Sequence, residues 1–122
     1  MKIKVVILNP GQEPFAQEID DTLEAKQALV GGYIEYCPLL GERGKGGLEL
    51  VCNEEGKIHN LDWNRTLVTE SGEVYDVVAG TCFVTKTNEN TGEAVSLSDD
   101  DVDHALGQWT LARSDGRALV AR

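Results

Sequence analysis

Turn residues cut this chain into apolar runs too short for anything but strands and brief helices. "KIKVVIL" is rich in β-branched residues and is stopped by Pro10-Gly11, and "YIEYCPLL" is stopped by Pro38. Proline removes a backbone donor and fixes φ, so each such stop ends an extended segment. In "LELVC" the residues Leu48, Leu50 and Cys52 fall on one face of a strand, with Glu49 and Val51 on the other. "VVAGTCFVTKT" predicts an interior strand whose glycine marks a bulge or a close backbone approach.

Two segments carry helix signals instead. "DDTLEAKQALVGG" offers Asp21 as a cap with Glu24 three residues on, and Gly31 or Gly32 as a left-handed stop. "SLSDDDVDHALG" repeats the recipe, with Ser98 as cap, Asp99 to Asp101 in the first turn and Gly107 at the end. The acidic residues sit where the helix dipole favours them. The expected fold class is α+β, a mostly antiparallel sheet with both short helices on one face. The division expected is a domain over residues 1–107 and a carboxy-terminal hairpin extension over 108–122, packed on that domain and turning at Asp115-Gly116.

The net charge of −10 disfavours direct binding to nucleic acid or to an anionic membrane. It leaves solubility, or imitation of a polyanion, as its meaning. Cys37, Cys52 and Cys82 lie in three separate apolar segments without paired spacing, so they read as reduced core thiols, and no metal or cofactor is expected. No run has the length of a membrane span or the pattern of a secretory leader, and a cytoplasmic location is expected.

The polar clusters divide between turn chemistry and a ligand site. Asn53-Glu54-Glu55-Gly56 fits a type I turn with a left-handed final glycine, followed by an antiparallel return through "KIHNL". "GERGKGG" reads as a hairpin loop, or as a flap whose Arg43 and Lys45 close on an anion. "DWNRTLV" reads as a loop or a helical turn, and its Asn64 and Arg65 could hold an adenine-like or phosphate-bearing ligand through forked hydrogen bonds. His59 and His104 lack a recognisable nucleophile partner, so no catalytic residues are assigned. The candidate ligand-binding residues are Tyr33, Glu35, Arg43, Lys45, Asn64 and Arg65.

Taken together, "ALVGGYIEYCPL", "LVCNEEGKIHNL", "NRTL", "VAGTCFVT" and "GEAVSLSDDDV" resemble the domain-of-unknown-function family 3846, in that family's order and across Met1 to His104. The resemblance implies a small domain of bacteria, archaea and their viruses, often on phage and plasmid sequences, with no activity assigned. Where the family tends to carry proline shortly before Asn-Arg, this chain has Asp62-Trp63. The function expected is a non-enzymatic binding module, an accessory or counter-defence protein for a small anionic, nucleotide-like ligand. The alternatives are a protein-binding inhibitor, acting by DNA mimicry or sheet-edge pairing, and an uncharacterised enzyme. A homodimer is also expected, because a thinly covered sheet leaves an edge for a second subunit.

Overall fold

A computed structural model describes residues 1–109 and, as backbone, residues 114–115 and 118–119. Its centre is an antiparallel sheet in the order β2-β1-β7-β4-β3, built from β1 (Lys2–Leu8), β2 (Phe15–Asp20), β3 (Ile34–Pro38), β4 (Leu48–Asn53) and β7 (Cys82–Thr87). A short strand, β8 (Ala94–Val95), pairs with the end of β7. Two further strands, β5 (Trp63–Val68) and β6 (Val74–Ala79), form a separate antiparallel ribbon. The α+β class expected from the sequence is the one observed.

The central strands are buried on both faces, which is why "VVIL" and "CFV" are continuous rather than alternating. Ile3, Val5, Ile7, Val51 and Phe83 point one way and pack under α1 (Leu23–Val30) through Val30. Val6, Leu8, Leu50, Cys52, Cys82 and Val84 point the other way and meet Leu67 and Val78 of the ribbon. They also meet Val102 and Ala105 of α2 (Asp99–Gly107), with Trp109 closing the cluster. The helices therefore lie on opposite faces, not on one. A strand with apolar residues on both parities needs cover on both sides, and one layer of helices cannot supply it.

Local chemistry sets the helix ends with two shifts from expectation, at the start of α1 and at the end of α2, where Gly107 is the last helical residue and Gln108 the cap. The cap of α1 is Thr22, whose hydroxyl accepts from the Ala25 amide, while Asp21 pairs with Lys26 at 3.0 Å. Gly31 ends that helix at a φ of 80°. For α2 Ser98 is the cap as the sequence predicts, and Asp101 completes a capping box with it.

Three other segments depart from the sequence reading. "DWNRTLV" is not a loop or a helical turn; it supplies strand β5. "KIHNL" does not return as a strand, because residues 54–60 run through successive turns. "VVAGTCFVTKT" is two strands, broken at Gly80, whose φ of 84° turns the chain from ribbon to central sheet. At the carboxy terminus, β9 (Ser114–Asp115) pairs antiparallel with β10 (Ala118–Leu119). The expected turn residue Gly116 lies outside the described residues.

Candidate functional site

Asn64 and Arg65, the leading ligand candidates, are fully buried side by side on β5. The Asn64 amide donates to the carbonyls of Leu8 and Gly80, each at 2.8 Å, and so fastens the ribbon to the end of β1. The Arg65 guanidinium donates to Asn64 Oδ1 at 2.8 Å and to the Gln12 carbonyl at 2.7 Å. Burial weakens its hold on its proton, and Cys82 and Glu13 offset part of that effect. Its Nε has no hydrogen-bond partner. The pair thus spends most of its hydrogen-bonding capacity on backbone and on itself.

The loop after β3 is no open flap. Residues Gly41–Gly44 form a turn of 3-10 helix, and Arg43 donates to the carbonyls of Thr66 at 3.0 Å and Gln108 at 3.3 Å. Its guanidinium also stacks over Trp109, 4.1 Å from the ring centre. His104 Nε2 hydrogen-bonds the Glu42 carbonyl, pinning the turn from α2. The cavity beside it, about 510 Å³, is lined by Arg43 but also by Glu42 and Glu70. Lys45 is exposed on the loop, and Tyr33 lines a different recess with Asn53, Glu55 and His59. Of the candidates, Arg43, Glu35 and Tyr33 line three different cavities, while Asn64 and Arg65 are buried in the core. An Asn-Arg pair suits bridging buried carbonyls as well as holding a ligand, and the bonds formed here are of the first kind.

The acidic turn behaves largely as its sequence predicts. Asn53 Oδ1 accepts from the Glu55 amide at 2.8 Å, and the Gly56 amide bonds the Asn53 carbonyl. Gly56, however, is absent from the positive-φ positions. Its missing side chain serves a close approach instead, since a Cβ there would stand 2.5 Å from the Ala79 carbonyl oxygen. Glu54 is exposed, and Glu55 faces His59 at 3.9 Å on the surface.

The cysteines depart furthest from their expected independence. In the β3–β4 pairing Glu35 stands opposite Cys52, and Cys37 lies two residues along the same face of β3. The Cys37 and Cys52 sulfurs are 2.7 Å apart, and Glu35 Oε1 lies 3.7 Å from the first and 4.0 Å from the second. All three side chains line a cavity of about 230 Å³, with Glu54, Lys57 and Asp76 among its other walls. Lys57 is engaged by Asp76 at 2.6 Å. The hydrogen bond with Cys52, burial and the nearby carboxylates of Glu35 and Asp76 push the Cys37 thiol far above its ordinary range. Cys82, by contrast, is a core thiol as expected, pushed up chiefly by burial.

Sequence spacing hid the cysteine pair because the two residues are joined only through a loop and a strand register. Glu35 was a sequence candidate for a ligand site, although not with these neighbours. Among the described residues no helix is long and apolar enough to cross a membrane. No curated protein and no solved structure matches the chain. The family model described as Domain of unknown function (DUF3846) matches residues 1–110, and the chain belongs to that family.

Proposed function

We propose that this chain is a non-enzymatic binding module that receives an extended, basic segment of a partner protein along the outer edge of β3. The observation that carries the reading is the edge itself. β3 ends the central sheet and, among the described residues, pairs only with β4. Tyr33, just before the strand, is 66 % exposed, and Tyr36, within it, is 46 % exposed. An unpaired strand edge is a template for another strand, and tyrosine gives large contact area at low entropy cost. The opposite edge, β2, exposes one large apolar residue, Phe15 at 38 %, followed by Ala16, Gln17, Glu18 and Asp20, and so offers less apolar contact than the two tyrosines.

Charge selects the class of partner. With −10 on each copy, pairing of two β3 edges is opposed by repulsion, whereas a basic segment is attracted. A small anion is the weaker occupant, because the cavities that contain Arg43 or Lys57 also contain carboxylates. DNA mimicry is weaker too. Carboxylates occur on β2, α1, the 54–55 turn and α2, and several are paired with lysines rather than arrayed on one face. In the mobile-element setting implied by the family resemblance, the partner is a protein of the host cell.

The test is a partner captured from the cell that encodes the chain, followed by hydrogen exchange on the purified complex. Slowed amide exchange at residues 34–37 is expected, with binding weakened by salt and by about 2 kcal/mol in Tyr36→Lys. A complex that leaves β3 exchange unchanged, or that tolerates Tyr36→Lys, refutes the reading. Sedimentation showing a dimer protected at the same amides replaces the heterologous partner with a second copy.

A further inference from the structure

We propose that Glu35, Cys37 and Cys52 bind a thiophilic divalent cation, zinc being the ion of matching chemistry, on the inner face of the β3–β4 pair. The three donor atoms lie within 4.8 Å of one another. Around a tetrahedral zinc, with bonds of about 2.3 Å to sulfur and about 2.0–2.2 Å to oxygen, donors stand roughly 3.5–3.8 Å apart. The carboxylate-to-sulfur distances of 3.7 and 4.0 Å already approach that spacing. Only the two sulfurs, now 2.7 Å apart, have to separate. The shift required is about 1 Å, within reach of a small side-chain rotation.

Electrostatics distinguishes a cation site from a redox pair. A reactive cysteine needs an electropositive setting that stabilises the thiolate. Here the cavity holds Glu35, Glu54 and Asp76, and its lysine is already engaged by Asp76. The negative neighbours favour a cation in this cavity. Binding replaces two S–H bonds by two metal–sulfur bonds and releases both protons to solvent. The Glu35 carboxylate supplies the third bond, and a fourth position faces the cavity. A bound ion ties the edge strand to its neighbour through the side chains of both. This inference does not rest on the protein-binding reading, since the donor face is distinct from the strand's outer edge.

Cobalt(II) is the probe, because thiolate ligation gives it an intense charge-transfer absorption that carboxylates alone do not produce. The full chain, reduced and stripped with chelator, is titrated anaerobically with cobalt and then with zinc. One equivalent of cobalt is expected to develop the absorption, and zinc to abolish it by displacement. The absorption is expected to vanish in Cys37→Ser and Cys52→Ser. In Glu35→Gln, a change at an exposed residue that spares the fold, the affinity falls by about tenfold or more, the scale seen when a coordination partner is lost. No absorption in the wild-type chain overturns the proposal. So does unchanged affinity in Glu35→Gln, or loss of two thiols to a disulfide under mild oxidation in a chain that takes up no cobalt.

Discussion

Replacing Asn64 by alanine should destabilise this protein more than most single changes to its core. The side chain donates 2.8 Å hydrogen bonds to the Leu8 and Gly80 carbonyls and accepts another at 2.8 Å from Arg65. Truncation takes a donor from two buried carbonyls and an acceptor from Arg65, at about 1–3 kcal/mol for each group left unsatisfied. Arg65 keeps its bond to the Asn64 backbone carbonyl at 3.2 Å and its bond to Gln12, so the guanidinium is only partly stranded. Losses within one network do not add fully, and a total of about 3–5 kcal/mol is expected. Against a stability of about 5–15 kcal/mol for a domain, that is a large share.

Equilibrium urea unfolding, followed by fluorescence of Trp63 and Trp109, measures the loss. The midpoint should fall while the slope stays constant, as for a change in stability without a change in buried surface. Asn64→Asp should be at least as damaging, because it points an oxygen at two carbonyls. A loss for Asn64→Ala below about 1 kcal/mol, near the range of surface substitutions, refutes the structural role. Asn64 would then be available to a ligand.

The capping box of α2 predicts a loss of about 1 kcal/mol for Ser98→Ala, measured by the same unfolding. Burial pushes the Asp101 carboxyl up, but the Ser98 amide and hydroxyl together with Lys86 reverse this and hold it below its ordinary range. The folded chain therefore binds that proton more weakly than the unfolded chain. The associated stability is complete above the unfolded aspartate value of about 3.9, and it is lost as pH falls through the folded value. Unfolding between pH 2 and 5 should show a shallower pH dependence in Asp101→Asn, and an identical slope contradicts the assignment. Gly56→Ala should cost about 1–3 kcal/mol, the usual penalty of overpacking, because its Cβ meets the Ala79 carbonyl at 2.5 Å. An unchanged melting temperature for that variant contradicts so close an approach of the turn to β6.

The sequence by itself determined what short-range chemistry can determine. The faces of "LELVC", the strand "KIKVVIL", the two helices and the Ser98 cap all depend on residues within a few positions of one another. The Asn53 turn is of the same kind. Tertiary structure decided the rest. "FAQEID" lacks an apolar signature because it is an edge strand exposed nearly throughout, so its partner β1 reveals it rather than its own residues. "WNRTLV" is a strand because Asn64 finds carbonyls 16 and 56 residues away in sequence. The division of the helices between two faces was written in the double parity of "VVIL" but becomes evident only once the central strands stand side by side. Cys37 and Cys52 look independent in the sequence and become neighbours through the register of β3 against β4. Local preference sets what each segment is; only pairing and packing between distant segments set which side chains meet.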